Sequence, residues 1–388
     1  MRTLRPLLLP ATPAVLDRVD DLRAVLDGST AVLPVPDDAR AAGELGSALD
    51  AGAPIDDRVS LVVSTSGSTG TPKGAQHSPA TLAASSRATA DRLGGHGNWL
   101  LALAPHHIAG LQVILRALTA GQTPAILDLR TGFDPDVYAR AVSELDGPRR
   151  YTSLVPTQLV KILDHPRATA ASRALDAILV GGAATPKPLW DRAVAEGLPV
   201  VATYGMSETA GGCVYDGRPL DGVVIRIADP APDGVGRVLL GGPVVASGYR
   251  NLPDHPAFAE PGWFRTDDLG VVDDAGLLSI VGRADEAIST GGLTVVPQVV
   301  EAVIADDAAV AECVVVGLPD DRLGEAVTAF VVVRPGERLD ANRIRGSVTD
   351  RLDRYAAPRR IVELDALPLR GPGKYDRRAL RARFGSQM

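Results

Sequence analysis

Cysteine is almost missing from this chain. Cys213 and Cys313 are the only two, a hundred positions apart, so neither a disulfide framework nor a zinc cluster is indicated and both read as inert core thiols. Long apolar runs are missing too. No stretch reaches the roughly 18 uninterrupted apolar residues of a membrane span, and the opening MRTLRPLLLPATPAV is too short and proline-broken for a secretory leader. A cytoplasmic protein with no membrane span is the expectation. Positive charge is in deficit, with a net charge of -7. This argues against nucleic acid as a partner while leaving room for a locally basic pocket that takes a small anion. Lysine is scarcest of the charged residues: Lys73, Lys161, Lys187 and Lys374 are four of 40 basic side chains, the rest being arginine. A chain with that preference keeps lysine where a compact ammonium matters, or by chance.

What remains is ordinary globular material. Hydrophobic residues make up 45% and charged residues 22% of 388 positions, enough for about two or three domains. Residues 1–60 read as a short helical and loop region in which DRVDDLRAVLDG forms a helix ended by Gly28. An α/β pattern follows. Leu61–Val63 is a strand running into a Gly/Ser/Thr loop, and Ser78–Leu93 a helix. ALDAILVGG, TPKPLWDRAVAEG and LPVVATYG then read as strand, helix and strand, a parallel pair with a crossover. From Gly222 the texture turns to short strands, including a hairpin VVDDAGLLSIVG turning at Ala275-Gly276. After Gly282 come a helix in VVPQVVEAVIADD, strands in AECVVVGLP and AVTAFVVVRP, a helix in ANRIRGSVTDRLD and a strand in RRIVEL. The fold class is therefore α/β: a large N-terminal domain, 1–282, of parallel-rich sheets, helices and a β-rich part, then a small α+β domain, 283–388.

The strongest local signal is Ser64-Thr65-Ser66-Gly67-Ser68-Thr69-Gly70-Thr71-Pro72-Lys73-Gly74. Glycines let backbone fold closely around an anion, hydroxyls and amides donate to it, and Lys73 adds a point charge. The combination suits a polyphosphate, although the Walker spacing is not met. Gly181-Gly182-Ala183 follows a buried strand at its carboxyl end, where open α/β sheets commonly bind ligands.

STSGSTGTPKG resembles the phosphate-loop signature of the adenylate-forming superfamily of acyl-CoA ligases, luciferases and peptide-synthetase adenylation domains. Further signatures of that superfamily follow in order: Tyr204-Gly205-Met206-Ser207-Glu208-Thr209, Trp263-Phe264-Arg265-Thr266-Asp267-Asp268-Leu269-Gly270, Gly282-Arg283-Ala284-Asp285-Glu286 and Gly371-Pro372-Gly373-Lys374. The resemblance implies ATP, Mg2+ and coenzyme A as cofactor and co-substrates. It implies Glu208 as metal ligand, Ser207 on phosphate, Tyr204 against adenine, and Gly181, Gly182 and Ala183 beside adenine and the acyl group. Asp268 would hold the ribose, with Arg283 reaching ribose or phosphate. Asp285 would be the hinge about which a mobile C-terminal domain delivers the catalytic Lys374 and then withdraws it, so that the CoA thiol can approach past Gly291-Gly292. Two departures stand out. Asp267 occupies a position where the superfamily has glycine, and Arg237 one where it more often has glutamate.

In the acyl pocket, Pro105-His106-His107-Ile108-Ala109-Gly110-Leu111 is similar to the H-I-S-G-L segment of acyl-CoA ligases, with His107 at the histidine that borders the acyl tunnel. No aspartate between Pro105 and Gln122 would hold a substrate ammonium, which favours an amine-free acid. Length, HHIAGLQ and the run YGMSETAGGCVYDGRPLDGV look most like the o-succinylbenzoate-CoA ligases. The pocket would comprise His107, Gly205, Ser207 and Gly211, with Arg116 a candidate for a second substrate carboxylate. Another aryl or medium-chain acyl-CoA ligase, an aminoacyl-adenylating enzyme and a non-catalytic nucleotide-binding relative remain open. So does a homo-oligomer.

Overall fold

A computed structural model describes residues 2–65, 72–369 and 375–385. The chain forms two compact units. One comprises Met1–Thr185, Leu189–Arg226 and Leu239–Thr266, the other Pro186–Pro188, Ile227–Val238 and Asp267–Met388.

The first unit is built on a seven-stranded sheet. Its order is Arg218–Pro219, Gly211–Tyr215, Val200–Met206, Ala177–Val180, Arg150–Leu154, Asn98–Leu101 and Ala125–Ile126. From Val200–Met206 to Ala125–Ile126 all neighbours are parallel, and the Gly211–Tyr215 strand folds back antiparallel. The expected parallel pair is there, with Ile178 opposite Val200 and Val180 opposite Ala202. Ala177–Val180 is buried at every position, as a strand covered on both faces must be, and its run of apolar residues rather than an alternating pattern follows from that. Tyr138, Leu159 and Ile162, all without exposed surface, share one apolar cluster with its Ile178.

A second, four-stranded sheet orders Arg5–Leu8, Val32–Val35, Leu61–Thr65 and Lys73–His77. Here the sequence expectation needs correction, because residues 1–60 contribute strands as well as the expected helix Val19–Asp27, which Gly28 caps at φ +79°. Prolines concealed them: Pro6 and Pro34 sit inside RPLL and VLPV. Pro34 is tolerated because Val32–Val35 pairs with its inner neighbour only at Val32 opposite Leu61, so its missing N–H costs no ladder bond there. Lys73–His77 is a further addition. It pairs antiparallel with Leu61–Thr65, making the Ser/Gly/Thr segment the connection of a hairpin.

A four-stranded meander runs Val224–Ala228, Gly236–Gly241, Trp263–Val272 and Leu278–Arg283 in chain order. The expected hairpin closes with Val272 opposite Leu278 and Gly276 at φ +77°. The C-terminal part of the second unit carries Leu293–Val295, Ile288–Thr290, Gly324–Val333 and Val310–Asp320, with Arg360–Glu363 parallel to Gly324–Val333. Helices Pro297–Ala305 and Ala341–Arg351 contribute Val300, Ile304, Ile344 and Val348 to one apolar layer with Val315 and Val331. Among the described residues, no helix is long and apolar enough to cross a membrane.

Ile178 lies at the centre of the parallel sheet and is fully buried. Trimming it to valine is expected to cost about 1 kcal/mol and to alanine about 2–5 kcal/mol of unfolding free energy. Urea titration followed by circular dichroism checks this, and an alanine variant as stable as the parent would remove the strand from the core.

Candidate active site

The hairpin of Leu61–Thr65 and Lys73–His77 brings Ser64 opposite Gly74 and Thr65 opposite Lys73 at the end next to its connection. Ser66, Gly67, Ser68, Thr69 and Gly70 lie outside the described residues, as does Lys374. Gly74 is required by packing: a Cβ there would stand 2.8 Å from Val62 Cγ1 and 3.1 Å from both Arg250 Cβ and Leu49 Cδ2. The outer edge of Lys73–His77 is covered by the segment around Tyr249. Gln76 N donates to Gly248 O at 3.0 Å and Arg250 N to Gly74 O at 2.7 Å, while the Asn251 amide bonds Pro72 O and Gly74 N. That cover removes an exposed edge and fixes Lys73. Its Nζ lies 3.2 Å from His255 Nε2 and 5.2 Å from the centre of the Tyr249 ring.

The second motif occupies a reversal of the main sheet. Val200–Met206, carrying Tyr204, Gly205 and Met206, ends in a 3-10 turn, Ser207–Thr209, and the chain returns as Gly211–Tyr215. Ala210 makes the reversal in the left-handed region, at φ +52°. That conformation is costly for a residue with a side chain, so the surroundings must hold it. They do: the Gln112 amide and Ser85 Oγ both donate to Ala210 O, at 2.6 and 3.1 Å, and Thr209 Oγ1 bridges Met206 N and Gly211 O. Gly205 permits the close return, since a Cβ there would run into the backbone of Gly211 and Gly212. Gly211 packs against Gln112 and Ile108, at the start of the helix Ile108–Thr119.

Glu208 projects from this turn with only 6% of its surface exposed. Tyr249 O–H donates to its Oε1 at 2.6 Å, and its carbonyl accepts from Ala246 N at 2.8 Å. Ser207 Oγ donates to Ser64 O at 3.3 Å, joining the two motifs. Ser207 O accepts from His77 Nε2 at 2.6 Å. His77 is fully buried, and its Nδ1 has no hydrogen-bond partner. Burial therefore pushes its pKa down to about 4, although the bond to Ser207 opposes the shift. A protonated ring would put a second N–H where nothing accepts it.

Gly181, Gly182 and Ala183 follow the Ala177–Val180 strand. A Cβ on Gly181 would strike Thr203, and Gly182 turns at φ +79°. His107 caps the helix Ile108–Thr119 and is exposed, whereas the adjacent His106, its ring centre 4.3 Å away, is the more buried of the two. Burial pushes His106 down to about 4 as well. Arg116 does not join His107. Nine residues along one helix separate them by about 13 Å, and Arg116 is buried beside the Trp99 ring, 5.5 Å from its centre.

In the second unit, Asp268 lies opposite Arg283 across paired strands. Arg283 Nη1 is 3.3 Å from Asp268 Oδ1, and Nε and Nη2 each donate to Asp285 at 2.9 Å. Burial would lower the Arg283 pKa, but the bonds to Asp285 and the charges of Asp285 and Asp268 outweigh it and raise the value. The two adjacent aspartates differ sharply in setting: Asp268 is buried, its side chain 11% exposed, while that of Asp267 is 51% exposed. Asp267 pairs with Arg237 at 3.0 Å, so the two departures from the superfamily pattern meet in one ion pair. Gly291 and Gly292, at φ +59° and +81°, form the two-residue turn between Ile288–Thr290 and Leu293–Val295. A turn with positive φ at both positions favours glycine by itself.

Sequence reasoning missed His77, Ser85, Gln112, Tyr249 and His255, whose roles arise from contacts far along the chain. The chemistry of the first unit's group suits a hard cation. Magnesium is commonly held by one or two carboxylates together with substrate phosphates, and Glu208 offers a positioned carboxylate oxygen pair beside the phosphate-loop hairpin. Among the described residues no group of three or more His, Cys, Asp or Glu gathers elsewhere as a metal cage.

The His77 shift has a sign. With a folded pKa near 4 against an ordinary 6.5, the folded state binds fewer protons, so the stabilisation is full above pH 6.5 and lost as pH falls toward 4. The loss is about 3 kcal/mol. Urea unfolding at pH 7.5 and 4.5 is expected to show a smaller difference for His77→Gln than for the parent. Equal differences would mean that the folded protein protonates His77 freely.

Comparison with known proteins agrees with this geometry. Residues 8–250 match the family model of AMP-binding enzymes and residues 299–374 that of the AMP-binding enzyme C-terminal domain. A probable 2-succinylbenzoate–CoA ligase of Mycobacterium tuberculosis H37Rv is 50% identical, with 99% of each chain covered. The 2-succinylbenzoate–CoA ligase of Geobacillus kaustophilus is 31% identical over 84% of this chain and 69% of its own. Among solved structures, the o-succinylbenzoate CoA synthetase of Bacillus subtilis in complex with its acyl-adenylate intermediate superposes with a TM-score of 0.78 at 25% identity, covering 98% of this chain and 89% of that one. ATP-bound MatB of Rhodopseudomonas palustris gives 0.77 at 26%, covering 98% and 79%. The chain belongs to the AMP-binding, adenylate-forming family of enzymes, on the strength of both family matches and of a relative that parallels it from end to end.

Proposed function

We propose that this protein is an ATP-dependent acid–CoA ligase whose acid is 2-succinylbenzoate, acting in menaquinone synthesis in the cytoplasm. The observation that carries the reading is the half-identity to the mycobacterial ligase along the full length of both chains, joined to a buried, oriented Glu208 at the motif where the family expects a metal ligand.

A carboxylate oxygen of the acid attacks the α-phosphorus of ATP. The new O–P bond forms as the bond to the β-phosphate oxygen breaks, and pyrophosphate leaves with the electron pair. The CoA sulfur, as thiolate, then attacks the acyl carbon and AMP departs. The first step is driven chiefly by positioning and charge neutralisation. Magnesium, held by Glu208, supplies part of that neutralisation when bound. Ser64, Thr65 and Lys73, with the loop residues Ser66 to Gly70, grip the phosphates, and Ser207 assists from the adjoining turn. Tyr204, Gly205, Met206, Gly181, Gly182 and Ala183 line the adenine and acyl face, and His107 and Gly211 bound the acid. Asp268 and Arg283 serve the ribose. Residues 283–388 act as a lid on residues 1–282. The lid turns at Asp285, brings Lys374 to the reacting oxygen and phosphorus, then exposes Gly292 to the pantetheine arm.

Release of pyrophosphate with CoA is expected to be fastest with 2-succinylbenzoate in a panel that also holds ferulate, indoleacetate, fatty acids and amino acids. Preference for a fatty or amino acid would overturn the substrate. Lys374→Ala is expected to slow adenylation by about a hundredfold to a thousandfold or more, while thioester formation from preformed acyl-adenylate survives. Equal damage to both half-reactions would defeat the lid mechanism.

A further inference from the structure

The chain on the C-terminal side of Lys374 is tied down at several points. Tyr375 forms a bridge with Leu369, and Asp376 N donates to Pro368 O at 2.7 Å. Asp376 then caps the helix Arg377–Phe384, its side chain accepting from Ala379 N at 2.9 Å. Leu380 docks that helix in an apolar layer with Val314, Val316, Leu318 and Phe330. Apolar contact is non-directional, so this layer does not by itself fix the helix about its axis.

Arg377 supplies the direction. Its Nε donates to Glu286 Oε2 at 2.8 Å, and its Nη2 donates to Glu301 Oε2 at 2.9 Å while lying 2.8 Å from Oε1. Both carboxylates are themselves held: Gln298 Nε2 donates to Glu286 Oε2, and Glu301 Oε1 accepts from Val315 N at 2.7 Å. The Arg377 side chain is 13% exposed and stands in the first turn of its helix, at the positive end of the dipole. That placement is unfavourable in itself, and the two carboxylates offset it. A planar guanidinium that reaches two carboxylates in different directions fixes rotation as well as distance, which one ammonium could not.

Glu286 closes the 3-10 turn Ala284–Glu286 and directly follows Asp285, while Glu301 stands on the helix Pro297–Ala305. Arg377 comes three positions after Lys374. We infer that Arg377 is a positioning residue for Lys374, tying the segment that follows the lysine to the hinge through Glu286 and Glu301. The inference rests on the ligase reading and deepens it. With the tie in place, a turn at Asp285 reaches Lys374 as the movement of one body. Without it, the ammonium arrives out of register with the reacting oxygen and phosphorus. Thioester formation, for which Lys374 has withdrawn, does not call on the tie.

The test separates the half-reactions of the full chain: pyrophosphate release from ATP and 2-succinylbenzoate without CoA, and thioester formation from preformed acyl-adenylate. Arg377→Met is expected to slow the first about tenfold to a hundredfold, with KM for ATP unchanged, and to leave the second at the parent's rate. Arg377→Lys, which keeps one of the two pairs, is expected to recover part of the loss. Glu286→Ala spares the pair with Glu301 and is expected to divide the half-reactions in the same sense, so it carries the test if Arg377→Met does not fold. Equal loss in both half-reactions would mark a structural role and overturn the inference, and so would unimpaired adenylation in Arg377→Met and Glu286→Ala. A Lys374→Ala variant that failed to divide the half-reactions would bring down the lid mechanism and the inference with it, an outcome distinct from the other two.

Discussion

A carboxylate taken almost wholly out of water sets the terms for the rest of the first unit. Removing the charged group of Glu208 from solvent costs several kcal/mol unless hydrogen bonds and opposite charge compensate. Tyr249 supplies one bond to Oε1, and a cation shared with phosphate would supply the charge. The turn that carries Glu208 also includes a left-handed Ala210, so it would not hold its shape unaided. Side chains from three separate elements hold it: Ser85 and Gln112 on two helices grip Ala210, and His77 on the hairpin strand grips Ser207. The seven-stranded sheet and the hairpin that carries His77 thereby become one support for one carboxylate.

His77 shows why such a support is built from neutral groups. A charged residue at that place would compete with Glu208 for the cation or repel it. A histidine stripped of water stays uncharged at neutral pH and still donates from Nε2. Arg283 in the second unit follows the opposite rule. It keeps its charge because Asp268 and Asp285 face it, and Arg237 and Asp267 extend that set at its exposed side. In sequence, Arg237 and Asp267 read as two unrelated departures from the superfamily pattern. In space each answers the other, and the buried Asp268 keeps a local setting distinct from its neighbour's.

Much of the fold was legible because the strands and helices announce themselves locally. AILV, AECVVVGLP and AVTAFVVVRP are buried runs, and Gly28 and Gly276 mark ends and turns that only positive φ allows. The strands Arg5–Leu8 and Val32–Val35 were hidden by Pro6 and Pro34, residues that argue against a sheet unless one knows which N–H groups lack partners. The motif glycines were legible for a similar reason: close backbone approach needs glycine, as at Gly74 and Gly205. Their supports were not. His77 and Ser207 are 130 positions apart, and Lys73 and His255 182, and no local pattern encodes such pairs. Arg116 shows how helix geometry spreads a motif. Its place in the acyl-pocket segment drew attention, but a helix separates residues by its rise, and nine positions carry Arg116 from the His107 end to Trp99. Gly292 illustrates a third case, where the tight turn between paired strands accounts for the glycine by itself.

Tyr249 joins the halves of this chemistry. Its hydroxyl bonds the residue that would hold the cation, its face lies under the ammonium of Lys73, and its side receives the edge of His255. Phe258 packs edge-on against it at 5.0 Å and in turn meets Phe264, so the ring cannot tilt toward one partner without leaving another. A flexible side chain at this position could satisfy Glu208 or shelter Lys73, but would lose entropy anew each time the nucleotide arrived. One rigid aromatic ring sets the spacing between the Glu208 carboxylate and the nitrogens of Lys73 and His255. Reactions that depend on charge neutralisation gain most from donors already in place, because no free energy is then spent on arranging them as the charge develops.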